Sequence, residues 1–246
     1  MRFKGKKAVV VGARDESIGQ AIARGLAAEG AQVYIWDIDV EGAGKTAKSI
    51  TDKGGKAKVM KVDALKHDSV KAAADQTVKE SGGIDIFVGT VGGGIFKMLN
   101  EYDGDFFKQQ LEYSGTSMFN SAHSILPHFV EKGEGKMVFF TSTTGGVPGL
   151  TGYSAGKAVV ESVMKTIISE TTGTKININL VLPGIVPTKL TKGAFESMGE
   201  AGEQMLKDLG AGSPWGLNTQ EEVARVVLWF LSDEAKRLNG QVLAMG

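Results

Sequence analysis

Short apolar runs recur along the chain, separated by longer stretches in which apolar positions return every three or four residues. The runs are Ala8–Val11, Val33–Trp36, Val59–Val62, Ile84–Val88, Met137–Phe140, Ile176–Leu182 and a short last one at Gln241–Met245. The stretches with helical spacing are Ile18–Glu29, Val40–Lys53, Asp68–Ser81, Phe106–Val130, Gly152–Thr172 and Glu221–Leu231. A short unbroken apolar run reads as a strand buried on both faces, and the longer period reads as an amphipathic helix. Their alternation predicts repeated βαβ units, hence an α/β fold built on a doubly wound parallel sheet. Gly30, Gly54-Gly55 and Gly82-Gly83 follow predicted helices, where a left-handed turn ends the helix.

No repeat, low-complexity tract or linker divides the chain, so residues 1–246 read as one domain. The stretch from Thr188 to Asn218 lacks a clean period, and a segment of that size inside a compact domain is usually functional. Residues 188–214 are therefore expected to form a lid. Lys+Arg and Asp+Glu are both 28, so the net charge is zero and nothing favours nucleic acid or an anionic membrane as partner. The chain has no cysteine, which excludes disulfides, thiolate metal sites and a cysteine nucleophile. Three histidines, His67, His123 and His128, have no metal-site spacing, so no metal is expected. The start of the chain lacks the apolar core of a signal peptide, and no apolar run reaches the ~20 residues needed to span a bilayer. A cytoplasmic location is expected.

The first run opens into Gly12-Ala13-Arg14-Asp15-Glu16-Ser17-Ile18-Gly19 and a helix. Gly12 permits a tight turn, and Gly19 lets the helix begin close to a pyrophosphate, whose charge is met by free N–H groups and the helix dipole. The middle glycine of the usual motif is missing. Ser17 is either the helix N-cap or a hydroxyl donor to phosphate. Asp37 ends the second run, near the ~20-residue offset at which an acidic residue binds ribose hydroxyls and repels a 2′-phosphate. Arg14 could instead meet a 2′-phosphate, but Asp37 favours NAD over NADP. Asp63 and Ala64 after the third run, and Gly89 opening Gly89-Thr90-Val91-Gly92-Gly93-Gly94 after the fourth, lie where a bound cofactor would pass.

Ser142 follows the fifth run, and the next helix carries Tyr153 and Lys157. Residues four apart share a helix face, so an ammonium beside the phenol is expected to lower its pKa. Tyr153 then serves as acid or base and Ser142 as hydrogen-bond donor to the same substrate oxygen.

These segments resemble the short-chain dehydrogenase/reductase family over nearly the whole chain. Its Tyr-x-x-x-Lys is Tyr153-Ser154-Ala155-Gly156-Lys157, and its serine maps to Ser142. Its Asn-x-x-x-Pro-Gly is Asn179-Leu180-Val181-Leu182-Pro183-Gly184, followed by Ile185-Val186-Pro187-Thr188. The resemblance implies a Rossmann fold with a helical substrate lid, and hydride transfer between nicotinamide and a secondary alcohol or ketone. It implies that Lys157 also binds ribose, and that the Val186 backbone and Thr188 hold the carboxamide. The family's relay asparagine becomes Ser114, and its Asn-Asn-Ala-Gly wall becomes Gly89-Thr90-Val91-Gly92. The glycine motif is one residue longer than usual. The resemblance also implies a homotetramer or homodimer through Phe106–Val130, Gly152–Thr172 and the last strand, with Leu126, Phe129, Val159, Val163 and Ile167 as candidate contacts; core packing accounts for the apolar spacing of these residues equally well.

Leu190, Phe195, Met198, Met205, Leu206 and Leu209 in the lid, with Trp215 beyond it, suggest a largely apolar small-molecule substrate; the same residues would equally pack a helical flap onto the core. Two alternatives stand beside the alcohol/ketone reading. One is a keto- or enoyl-thioester reductase. The other is a dinucleotide-sensing or scaffold protein, against which the retained Ser142, Tyr153 and Lys157 argue.

Overall fold

The computed structural model describes residues 1–142, 144–196 and 198–246; Thr143 and Ser197 lie outside the described residues. Strands β1 (Lys7–Val11), β2 (Gln32–Asp37), β3 (Lys56–Lys61), β4 (Ile86–Gly89), β5 (Glu134–Phe140), β6 (Lys175–Leu182) and β7 (Val242–Ala244) form one sheet in the order β3-β2-β1-β4-β5-β6-β7. Every neighbouring pair is parallel. The order reverses between β1 and β4, and the crevice at their carboxyl ends is where open α/β sheets take ligands. The chain thus has the predicted doubly wound, Rossmann-type α/β fold.

Alternation along β1 shows how the sheet builds two cores. Ala8 and Val10 point to one face and join Phe3, Ile22, Leu26, Ile35, Val227 and Leu231. Val9 and Val11 point to the other and join Tyr34, Trp36, Phe87, Met118, Phe129 and Met164. Helices α1 (Ile18–Ala28) and α9 (Gln220–Leu231) cover the first face; α3 (His67–Ser81), α5 (Ser117–Lys132) and α6 (Thr151–Glu170) cover the second. Truncating a buried side chain such as Ile22 to alanine would cost about 2–5 kcal/mol.

The helix ends are locally encoded. Ser17 and Asp39 accept the N–H groups of Gln20 and Gly42 at the starts of α1 and α2 (Val40–Thr51). Thr219 and Glu222 form a reciprocal capping box on α9. Gly82 ends α3 in the left-handed conformation, as predicted.

Two segments differ from the pattern-based expectation. The single helix expected over Phe106–Val130 is α4 (Gly104–Leu111), a π-helical turn at Glu112–Thr116, and then α5. The predicted lid holds two helices, α7 (Lys189–Glu196) and α8 (Glu200–Ala211). Of the candidate contact residues, Phe129 and Ile167 are buried in the core, because each faces the sheet. Val159 is exposed, as are Phe119 and Val130. No helix among the described residues is long and apolar enough to cross a membrane.

Candidate active site

The crevice begins where β1 and β4 end side by side. Gly12 turns at φ +83°, a conformation that glycine reaches without cost. A side chain there would press on Thr90 Oγ1 at 2.6 Å. The Thr90 hydroxyl lies 2.7 Å from the Val11 carbonyl and 3.0 Å from that of Gly12, so β4 fastens the first turn of the glycine loop. Gly19 lies against the Gly12 carbonyl with no room for a Cβ, which lets α1 start directly over the loop. Ile18 is the first residue of α1 and packs half-buried against the first core. Ser17 Oγ accepts from Gln20 N at 3.1 Å and donates to the Arg14 carbonyl at 2.7 Å. Its hydroxyl is spent within the loop, as a cap.

Asp37, buried at the end of β2, accepts the backbone N–H of Arg14 at 3.1 Å and of Asp39 at 2.9 Å. Burial raises its pKa, and the hydrogen bonds from Asp39 and Arg14 oppose that rise. Asp15 and Asp39 close in around Gly42, where a Cβ would stand 2.7 Å from a carboxylate oxygen of each. Lys45 pairs with Asp15 at 3.3 Å. This end of the crevice is therefore rich in carboxylates. Asp63 and Ala64 follow β3, and the Ala64 carbonyl accepts from the buried amide of Asn120 at 3.0 Å. Gly89 has a second reason to be glycine, since a Cβ would meet Met118 Sδ at 2.9 Å and the Phe139 ring at 3.0 Å.

Ser142, Tyr153 and Lys157 come together at the carboxyl end of β5. The Ser142 hydroxyl lies close enough to the Tyr153 phenol to lower its pKa, and it donates to Thr144 Oγ1 at 3.2 Å. Thr144 ties this loop to α6 through Ser154 Oγ at 2.8 Å. Lys157 Nζ sits 5.8 Å from the Tyr153 ring centroid and donates to the Phe140 carbonyl at 3.2 Å. Burial dominates both titrations: it raises the Tyr153 pKa, with the Ser142 hydroxyl opposing, and lowers Lys157 to about 8. The sequence had predicted a lowered tyrosine. The direction differs because burial of the phenol dominates, and the Lys157 ammonium is turned toward the Phe140 carbonyl rather than the phenol oxygen.

Glycines roof this cluster. A Cβ on Gly92 would lie 2.5 Å from Lys157 Nζ, and one on Gly94 would lie 2.6 Å from Tyr153 Cβ. Gln110, fully inside, accepts the Ile95 N–H at 3.0 Å and so fixes the roof to α4. Ser114 stands in the π turn, its buried hydroxyl without a hydrogen-bond partner among the described residues. A Cβ on Gly156 would meet Ser114 Cβ at 2.9 Å, so α6 and the π turn touch through a glycine.

On the far side, β6 leads into Pro183 and Gly184, and a Cβ at Gly184 would meet Asn218 Nδ2 at 2.8 Å. Val186 is buried in the first core, with its carbonyl accepting from Thr188 N at 2.8 Å. Thr188 Oγ1 accepts from Thr191 N at 3.2 Å, placing it at the start of α7. Among the lid's apolar residues, Leu190 approaches Gly93 of the roof. Met205 and Leu209 instead line an open groove with Ala201 and the C-terminal Gly246. Thr90, Gln110 and Asn120 were missed by the sequence reading. Each acts through a backbone group distant in the chain, and a hydroxyl in place of the family's asparagine at Thr90 was the one visible signal.

Comparison with known proteins matches this architecture. The profile of the family described as Enoyl-(Acyl carrier protein) reductase matches residues 12–245. The chain belongs to the short-chain dehydrogenase/reductase family. It is an oxidoreductase of that type. It is 30% identical over 250 residues to the 3-oxoacyl-(acyl-carrier-protein) reductase FabG of Thermotoga maritima, covering 100% of this chain and 98% of the relative. It is 28% identical to 3beta-hydroxysteroid dehydrogenase 1 of Eggerthella lenta, over 98% of this chain and 92% of that one. A crystal structure of a short-chain dehydrogenase/reductase from Burkholderia xenovorans superposes with a TM-score of 0.93 at 27% identity, covering 99% of this chain and 96% of the other.

Proposed function

We propose that this oxidoreductase uses NAD(H) to interconvert a secondary alcohol and a ketone, with Tyr153 exchanging the proton. The observation that carries the reading is the convergence of Ser142, Tyr153 and Lys157 beside the crevice between β1 and β4.

The residues present fit a dinucleotide. Gly12 and Gly19 leave bare backbone at the start of α1, where an anionic pyrophosphate is favoured. Asp37 retains acceptor capacity after its two backbone contacts, since a carboxylate offers about four lone-pair sites. Ribose hydroxyls can use that capacity, whereas a 2′-phosphate would face Asp37 with Asp39 and Asp15 close by. The same carboxylates set NAD ahead of NADP. Asp63, Ala64, Pro183, Gly184, Val186 and Thr188 would flank the cofactor along the strand ends. Bound there, the dinucleotide supplies or accepts the hydride.

The protein's part is to orient the substrate and move the proton. The Ser142 hydroxyl donates a hydrogen bond to the substrate oxygen, and the Tyr153 phenol gives that oxygen a proton in reduction or takes one in oxidation. Lys157, buried beside the Tyr153 ring, would favour the phenolate in its charged form. The unpartnered Ser114 hydroxyl next to Lys157 is available to hold a water on the proton path. The exposed Phe119, Val130 and Val159 on α5 and α6 support a homo-oligomer.

A second reading, favoured by the similarity to FabG, keeps this chemistry but places the ketone on an acyl thioester. The deciding experiment is turnover with NAD(H) and NADP(H) across secondary alcohols, ketones and 3-oxoacyl thioesters, alongside Tyr153→Phe. Turnover on alcohols or ketones that vanishes in Tyr153→Phe supports the first reading, and activity on thioesters alone supports the second. Dinucleotide binding with no turnover anywhere would point to a sensing role.

A further inference from the structure

Glu16 is the only non-glycine residue with a positive φ among the described residues, at +52°. It lies in the glycine loop, which is one residue longer than the family's usual motif. Its backbone is held at both ends. The Glu16 N–H donates to Gln20 Oε1 at 3.3 Å, and its carbonyl accepts the N–H of Lys189 at 3.1 Å. Lys189 is the first residue of α7. The loop that meets the pyrophosphate is therefore tied directly to the first turn of the lid, one residue after Thr188.

A non-glycine residue persists in the left-handed region only where its surroundings hold it there, and such residues gather at clamps and switches. Glu16 is exposed, so no packing of its side chain imposes the conformation. What the conformation achieves is the aim of its carbonyl across the crevice. The lid is lightly anchored otherwise: Leu190 is exposed on one side while approaching Gly93 on the other, and Met205 and Leu209 are also exposed. A lid with few buried contacts is drawn from the low-stability end of a fold, where one hydrogen bond shifts its population.

We propose that the Glu16 carbonyl and the Lys189 N–H form a clasp through which filling of the glycine loop closes the lid, making both positioning residues. The inference rests on the dinucleotide reading above. Anything that fixes the loop around Glu16 also fixes the acceptor that α7 needs, and opening α7 releases the loop.

The bond can be removed without touching the loop. Lys189→Pro deletes the N–H, and proline suits the first position of a helix. Lys189→Ala keeps the N–H and removes only the charge. The readout is hydrogen exchange across α7 and α8, with and without NAD, together with NAD affinity by titration calorimetry. In the wild type and in Lys189→Ala, NAD slows exchange over both helices. In Lys189→Pro, NAD still binds, but exchange in its presence is about fivefold faster than in the wild type, the effect of losing one ordinary hydrogen bond. A second pair acts from the other side. Glu16→Gly adopts the left-handed conformation freely and keeps the protection, whereas Glu16→Val, β-branched and averse to it, loses it. Lys189→Pro that binds NAD with wild-type protection, or Glu16→Val that behaves like Glu16→Gly, would overturn the clasp alone. A wild-type protein that binds neither NAD nor NADP would overturn the dinucleotide reading and the coupling with it.

Discussion

The Thr90 hydroxyl stands 3.0 Å from the Gly12 carbonyl, so the end of β4 holds the turn that opens the glycine loop. The isosteric Thr90→Val removes that donor and leaves the loop carbonyls short of a partner. The expected loss is about 1 kcal/mol of stability, seen as a fall of roughly 2–4 °C in Tm. Affinity for NAD should fall with it, and Thr90→Ser should restore both. Unchanged NAD affinity in Thr90→Val would show that the turn does not depend on β4.

The proposed preference for NAD over NADP rests on the Asp37 carboxylate. Asp37→Ala removes hydrogen bonds to a charged acceptor, each worth about 1.5–3 kcal/mol, so the KM for NAD should rise roughly 10- to 100-fold. The KM for NADP should change less or fall. Steady-state kinetics with both cofactors measures this, and a wild type that prefers NADP would contradict it.

Gly94 lies against Tyr153 so closely that a methyl group there would stand 2.6 Å from the tyrosine Cβ. Gly94→Ala must displace the ring or the roof, and a misplacement of about 1 Å costs on the order of 10²-fold in rate. NAD affinity should hardly move. Gly104→Ala, where a Cβ meets nothing within 4 Å, is the control and should keep full activity. Equal kcat in the two variants would remove the roof from the mechanism.

Lys157 links stability to pH. Its folded pKa of about 8 lies below the ordinary 10.5, so the unfolded chain binds the extra proton between those values. Stability from this group is therefore complete above about 10.5 and is lost as pH falls through about 8. Lys157→Met carries no such term. Its melting temperature, compared with that of the wild type, should look most favourable at pH 7, with that relative advantage shrinking as pH rises from about 8 towards about 10.5. A difference between the two proteins that does not vary with pH would show that the ammonium is not buried in solution. Turnover by Lys157→Met should be strongly reduced at every pH.

The strands and most helices were legible because their period is local: Val9–Val11 and Val33–Trp36 are buried on both faces and read as such. Asp37 and the Tyr153/Lys157 pair were legible because strand-end position and four-residue spacing fix where a side chain goes. The π turn was not, since Glu112–Thr116 continues a helical pattern, and its packing on α6, Ser114 against Gly156 and Gly115 against Val159, is a contact between distant parts of the chain. The spacing of Phe129 fitted an interface or the core equally, and the structure places it in the core, over Gly135 of β5. Which face of a helix meets the sheet depends on the partner strand, and periodicity alone carries no such information. The roof over Tyr153 was half visible: the glycine run stood out, but its anchor Gln110 did not.

The π turn makes the length of one segment as constraining as its composition. Gln110 and Ser114, before and within it, serve the cluster around Lys157, while Ala122, Ile125 and Phe129 beyond it serve the core. One surplus residue offsets the angular phase of these two halves by about 100°, the turn per residue of an α-helix. Deleting any single residue of Glu112–Thr116 would yield a more regular helix and cancel the offset. Either the chemistry or the packing would then face the wrong way, so the turn does not tolerate shortening.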